Sequence, residues 1–421
     1  MATVVLVGTL DTKGVEYGFL RDRLREAGVE VLLVDAGVMG EPLVEPDVAR
    51  EEVASAAGVD HAELMRAADR GAAVDAMGRG AAVVLARLHG EGRLDGAAAV
   101  GGSGNSSIAA QAMRDLPVGV PKLIVSTVAS GDTRPYVGAV DVTMMYSVVD
   151  ISGINQISAQ ILTNAAGAIA GMASARVPER SGERPLIGAT MFGVTTPCVT
   201  RARERLEELG YEVLVFHATG TGGQSFEALA TGGYLVGALD VTTTELADDL
   251  VGGVLSAGPD RLEAVGSVGI PQVVSLGALD MVNFGPRETV PPQFEGRNLY
   301  VHNPTITLMR TTRDEMAELG RRIARKLNGA DAPTVLFVPL KGVSAIDVEG
   351  QPFHDAEADQ ALFAALREGI DPGKVEVHEV DADVNDPVFA TAMADRLHEL
   401  VLERQDADRR HQNAGPDAPR R

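Results

Sequence analysis

Short apolar runs alternate along this chain with stretches in which apolar residues recur every three or four positions. The runs TVVLV (3–7), VEVLLVDAG (29–37), AAAV (97–100) and KLIVST (122–127) have the length and continuity of strands buried on both faces. LIGATMFG (186–193), the start of YEVLVFHATGTGG (211–223), NLYVHNP (298–304), TVLFVPL (334–340) and KVEVHEV (374–380) also read as strands. Between them the spacing predicts helices over 15–28, 47–89, 157–175, 199–210, 313–327, 355–369 and 387–403. In the first, Phe19, Leu20, Leu24 and Ala27 share one face, and Gly28 suits its end. Asp355 stands where a helix cap is expected. Strands that alternate with helices imply right-handed parallel crossovers, hence an α/β protein with mainly parallel, doubly wound sheets.

The pattern breaks once. Residues 176–185, RVPERSGERP, are charged, carry two prolines and read as a linker. This divides the chain into an N-terminal α/β domain (1–178) and a C-terminal one (186–403), with a polar tail (404–421) expected to be disordered. LRDRLREAGVEVLLVDAG and ARERLEELGYEVLVFHAT align without a gap, setting Gly28 against Gly210 and Asp35 against His217. PKLIVSTVASGD (121–132) likewise parallels PQVVSLGALDMV (271–282). The match fits either an internal duplication or a likeness generic to such crossovers. Both halves read as Rossmann-like domains facing a shared cleft, where a ligand is expected.

Charge narrows the partners. The net charge is −22, so nucleic-acid phosphates and anionic membranes are repelled, and any anion site must work through local dipoles. No apolar run approaches the roughly 18 residues of a membrane span, and no signal peptide pattern opens the chain. The lone Cys198 rules out an internal disulfide and a thiolate metal cluster. A cytoplasmic protein is the expectation. Among its few lysines, Lys13 and Lys341 fall beside glycines at predicted strand ends, where an ammonium can reach a phosphate.

Two glycine-rich segments follow apolar runs and precede helical patterns: GTLDTKG (8–14) and GGSGNSS (101–107). A strand, a small-residue turn and a helix start place backbone N–H groups at a positive helix end, an arrangement that holds phosphate. Gly101, Gly102 and Gly104 permit close backbone approach, and Ser103, Ser106 and Ser107 offer hydroxyls. Neither segment fits GxxxxGK[ST] or GxGxxG, so P-loop and dinucleotide machinery are unsupported. Asp11 and Asp132 are hard-oxygen candidates for Mg²⁺, with turn and cap formation as their alternative role. Asp35, at a strand end, stands where ribose hydroxyls are often taken. In the second domain Lys341, Ser344 and Asp347 precede GQPFHD, which brings His354 and Asp355 to a helix start. Lys341 and His354 are the candidates for binding or proton transfer to an anionic substrate. HExxH and GxSxG patterns are absent from the sequence.

GTLDTKG, GGSGNSS and STVASGD, then VPLKGVSAID, GQPFHD and VNDP, resemble a family of uncharacterised proteins spread through bacteria and fungi. That family is related to the ATP-binding N-terminal region of the tomato mosaic virus resistance protein. The resemblance spans residues 3 to 403 and implies a two-domain α/β fold, ATP binding by the first domain, and self-association into a homo-oligomer. Carried over, its nucleotide loops fall on Gly8, Thr9, Asp11, Thr12 and Lys13, on Gly101 through Asn105 to Ser107, and on Ser126 to Asp132, including Ser130 and Gly131. The plant protein continues into a barrel resembling phosphoenolpyruvate-using enzymes, so a separate barrel protein is an expected partner. The expectation is an ATP-binding protein, with Mg²⁺, acting as an ATP-dependent enzyme on a small anionic metabolite. The alternative is a nucleotide-binding regulatory or scaffold protein.

Overall fold

A computed structural model describes residues 1–176 and 182–413, with side chains to residue 410. The chain divides into two units, Met1–Glu179 and Arg180–Arg421. Residues 177–181 of the predicted linker lie outside the described residues.

Unit 1 runs β1 (Thr3–Gly8), α1 (Leu10–Glu26), β2 (Glu30–Asp35), α2 (Arg50–Ala56), α3 (His61–Ala67), α4 (Arg70–Gly90), β3 (Gly96–Gly101), α5 (Ser103–Arg114), β4 (Lys122–Ser126), α6 (Arg134–Val137), β5 (Val142–Tyr146) and α7 (Gln156–Ser174). Its five strands are all parallel, in the order β2-β1-β3-β4-β5. Alternate residues of β1 feed two cores: Val4 and Leu6 pack with Leu20, Leu24 and Ile169, while Val5 and Val7 pack with Met77, Leu85 and Ile108. A strand buried on both faces has no polar face to show, which is why TVVLV reads as an unbroken apolar run. The Ala-rich stretch 47–89, predicted helical, forms three helices. It breaks where Gly58 and Ala68 turn left-handed and where Asp60 and Asp69 cap the next helix.

Unit 2 runs β6 (Leu186–Met191), α8 (Thr196–Glu208), β7 (Glu212–His217), α9 (Thr221–Thr231), β8 (Leu235–Thr242), α10 (Glu245–Val251), α11 (Ala264–Ser267), β9 (Gln272–Gly277), β10 (Met281–Phe284), β11 (Leu299–Asn303), β12 (Ile306–Arg310), α12 (Arg313–Asn328), β13 (Thr334–Pro339), α13 (Ala356–Gly369), β14 (Val375–Val380) and α14 (Pro387–Asn413). Six strands form a parallel sheet, β14-β13-β9-β8-β6-β7, and three form a separate antiparallel sheet, β10-β12-β11. NLYVHNP therefore belongs to an antiparallel sheet outside the doubly wound one. The terminal helix continues through Asn413, past the predicted end at 403, so residues 404–413 are helical rather than disordered. No glycine or proline interrupts them, and Arg404–Asp408 and Arg409–Asp406 pair along the helix. Residues 414–421 lie outside the described residues.

The two parallel sheets share one winding. In chain order the strands of each begin 2-1-3-4 across the sheet. The segments that align in sequence hold equivalent places: α1–β2 and α8–β7 lead to the same edge, and β4 and β9 are both fourth in line. Asp35 and His217 are the last residues of β2 and β7.

Candidate functional site

The winding reverses between β1 and β3, and in doubly wound sheets ligands lie outside the carboxyl ends of the strands at that point. Both glycine-rich segments begin there. Neither is an open loop: single residues, Thr9 and Gly102, separate strand from helix, and the remaining segment residues open α1 and α5. Neither Thr9 nor Gly102 caps its helix with a side chain; at α1 the Leu10 amide donates instead to Asp35 Oδ1 (3.1 Å), whereas α5 starts without such a partner among the described residues. A Cβ on Gly102 would meet nothing nearer than Thr127 Oγ1 at 3.7 Å. Ser103 and Ser107 are exposed, with Ser107 Oγ donating to the Ser103 carbonyl at 3.0 Å. Ser106 is buried, bonded to the Gly102 carbonyl (2.9 Å) and to Ser126 Oγ (2.7 Å).

One cation at this place has no signature in the sequence. Arg70, the first residue of α4, is exposed, and its Nη2 lies 3.5 Å from where a Gly104 Cβ would stand. It has no hydrogen-bond or ion-pair partner among the described residues.

Several predicted site residues are engaged by the protein itself. The Lys13 ammonium donates to the Ile151 carbonyl. Thr9 and Thr12 pair through their hydroxyls at 2.8 Å. Asp11 Oδ2 accepts from the amides of Met39 (2.8 Å) and Gly40 (3.1 Å), which ties the segment after β2 to α1. Asp35 is closed to a ribose: it is fully buried, and its Oδ1 accepts from the Leu10 and Gly37 amides at 3.1 and 2.8 Å. Burial pushes its carboxyl above the ordinary range. Ser130, Gly131 and Asp132 are exposed, and Asp132 is held by Arg134 through bonds of 2.7 to 3.1 Å. Those bonds pull its carboxyl down to about 2. Asp11 and Asp132 thus shape turns, the alternative role their sequence positions allowed. Among the described residues no group of three or more His, Cys, Asp or Glu side chains is placed to hold a metal.

The equivalent reversal in unit 2, between β6 and β8, is closed. Where unit 1 has Gly101-Gly102-Ser103, unit 2 has Thr242-Thr243-Thr244, all buried. Their hydroxyls bond to Thr195 Oγ1 (2.8 Å) and to the carbonyls of Ser275 (3.1 Å) and Met281 (3.4 Å). Hydroxyls and methyls there fill the room that glycine leaves open in unit 1.

The second-domain candidates do not converge. Lys341 is an exposed partner of Asp381 at 2.8 Å, and His354 Nδ1 lies 3.2 Å from the Asp347 carbonyl. Asp355 caps α13 through the Ala358 amide, as its position predicts. The neighbouring Ser344 and Asp347 instead join a buried network. Arg310 reaches Asp347 (3.0 Å) and Asp359 (2.8 Å), while Ser344 donates to Asp280 (2.8 Å). Three buried carboxylates face one guanidinium, and burial pushes Asp280 up to about 6 and Asp347 up to about 9. Burial also raises Asp248 and Glu227 to about 7. The folded chain therefore keeps protons that the unfolded chain releases above about pH 4. Stability must fall as pH rises from about 5 through 9. The expected result is a lower urea midpoint at pH 9 than at pH 6, with faster amide exchange in β9 and β13. A flat profile would show that these carboxyls are not shifted.

Comparison with known proteins gives the chain its place. Residues 2–178 match the N-terminal domain, and 184–401 the C-terminal domain, of the uncharacterised protein family UPF0261. A UPF0261 protein of Clostridium tetani is 55% identical over 398 residues, covering 94% of this chain and 98% of that protein. One of Mesorhizobium japonicum is 47% identical, with 94% and 98% covered. The tomato ToMV susceptible protein tm-1(GCR26) is 41% identical over 419 residues, covering 94% of this chain but 55% of the plant protein. Among solved structures, MurG of Acinetobacter baumannii aligns over 98% of this chain and 95% of its own at 13% identity, with a TM-score of 0.23. That likeness is too distant to carry an argument. The chain belongs to the UPF0261 family.

Proposed function

With that membership as premise, we propose that the protein binds ATP, its phosphates lying over the first turns of α1 and α5. The observation that carries this reading is the turn at Gly102, where a missing side chain leaves open space at an uncapped helix start, at the reversal of the sheet. Backbone amides of α5 supply directional donors, and Arg70 supplies positive charge against the acidic field of the whole chain. The donor set fits phosphate and not a resident metal. Mg²⁺ would travel with the nucleotide, held by phosphates and water.

The Lys13 ammonium is bonded to Ile151, and Lys341 and His354 each have partners of their own. These engagements favour the regulatory reading, in which nucleotide stabilises a protein that works in a homo-oligomer or with a barrel-type partner. Turnover of a small anionic metabolite remains the competing reading. Incubating the protein with ATP and candidate acids separates the two: AMP or ADP marks an enzyme, unchanged ATP the regulator.

Binding itself has a direct test. At roughly 100 times Kd, a ligand that binds only the native state adds about 2.7 kcal/mol. ATP is expected to raise the melting temperature by a few degrees, and adenosine much less. Equal shifts with ATP and adenosine would remove phosphate recognition from the account.

A further inference from the structure

Two glycines of the predicted nucleotide segments have no room for a side chain, and the obstacle is the same pair of residues. A Cβ on Gly8 would stand 1.9 Å from the Tyr17 hydroxyl oxygen. A Cβ on Gly101 would stand 2.6 Å from Asn105 Cβ. Tyr17, on α1, is fully buried. Its hydroxyl donates to the Val7 carbonyl (2.6 Å) and accepts from the Val100 amide (3.0 Å) and Asn105 Nδ2 (2.8 Å). Asn105, on α5, also donates to the Val100 carbonyl (2.6 Å), while its Oδ1 accepts from the Thr9 amide at 3.1 Å.

These bonds cross the reversal of the sheet. Val7 is the penultimate residue of β1, before Gly8, Val100 the penultimate residue of β3, before Gly101, and Thr9 is the turn that opens α1. Regular pairing between β1 and β3 is recorded only from Val4–Gly96 to Leu6–Ala98, so it stops short of both turns. Beyond that point the side chains of Tyr17 and Asn105 do the joining.

We infer that Tyr17 and Asn105 are positioning residues that fix the spacing between the two phosphate-binding turns. The inference rests on the ATP reading of the same site. Neither side chain reaches the ligand: Tyr17 is enclosed, and both polar atoms of the Asn105 amide are spent on Tyr17, Val100 and Thr9. They act by holding the turns at Thr9 and Gly102 in one register, so that amides on two different helices meet one polyphosphate chain. A preorganised pair of donors binds without the cost of ordering it first. Gly8 and Gly101 are then required by the lock, and Gly102 by the ligand.

The test uses the full chain and compares ATP with adenosine, which shares the base and ribose but lacks phosphate. Tyr17→Phe keeps the ring and removes the hydroxyl, with all three of its hydrogen bonds. ATP affinity is expected to fall by about tenfold or more while adenosine affinity stays within about twofold. Asn105→Ala is expected to give the same split from the other end, and amide exchange at Thr9 and Val100 should accelerate in both variants. A purely structural role would weaken both ligands together or neither, and either result overturns the inference. Wild-type protein that does not prefer ATP to adenosine removes the ATP reading and this inference with it. Wild type that discriminates, beside variants that discriminate equally well, removes the lock alone. Should Tyr17→Phe fail to fold, the ATP-to-adenosine ratio of Asn105→Ala decides.

Discussion

Arg261→Met is expected to destabilise unit 2 by about 3–5 kcal/mol, the range found when one partner of a buried ion pair is removed. Arg261 is fully enclosed. Its guanidinium makes a two-pronged contact with Asp240 at 2.6 and 2.8 Å, and its Nε meets Glu245 at 2.7 Å. Glu227 lies a little further off at 3.7 Å. The neighbours are structural in their turn: Asp240 accepts from Thr190 Oγ1, and Glu245 accepts from the amides of Gly220 and Gly223 at the start of α9. Methionine fills much of the arginine's volume, so the loss comes mainly from carboxylates left without a counter-charge, with little from a cavity. That distinction has a pH signature. Acid protonates the stranded carboxyls, so the deficit of the variant should shrink at pH 5.5 relative to pH 7.5 in urea unfolding. A deficit under about 1 kcal/mol, or one that ignores pH, would show that the cluster is not held together by charge.

The same cluster shows what a sequence conceals. Arg261 sits in GPDRLEAVG, a stretch that any pattern of polar and apolar residues assigns to the surface, because a charge is buried only when its partners are too. Those partners lie 16 to 34 positions away on α9, β8 and α10. β8 itself, LVGALDVT, escaped the pattern reading for the same reason. Glycine, aspartate and threonine interrupt its apolar run, yet it is central to the sheet, since its aspartate is paired internally. By contrast α12 was legible almost to the residue. Thr312 and Glu315 cap each other's backbone amides at its start, and its apolar stripe is continuous. The candidate site divides along the same line. Its place, after β1 and β3, followed from local chemistry. Tyr17 and Arg70 did not, since one reads as an ordinary helix-core residue and the other as a solvated charge. Which strand adjoins which, and so which helix start each residue meets, is decided by contacts far apart in the chain.

Gly102→Val is expected to leave the fold in place and abolish the stabilisation by ATP. The backbone at Gly102 has φ −86° and ψ −165°, an extended conformation open to any residue. The space beside it is free except for Thr127 Oγ1 at 3.7 Å. Valine at this helix start should therefore cost stability only about 1 kcal/mol, the usual difference between a favourable and an unfavourable residue at an N-cap. Its branched side chain would instead occupy the volume through which a phosphate reaches the first amides of α5. A loss of about 100-fold or more in ATP affinity is expected, equivalent to about 2.7 kcal/mol. Gly8→Ala provides the opposite case. A single methyl group there collides with the Tyr17 ring and hydroxyl, at 2.4 and 1.9 Å, so the smaller substitution should cause the larger loss of stability. Melting temperatures of the two variants, each with and without ATP, make the comparison. Gly102→Val should melt near wild type and ignore ATP, whereas Gly8→Ala should melt well below wild type. If Gly102→Val still responds to ATP as the wild type does, the phosphates do not lie over α5, and the site must be sought elsewhere.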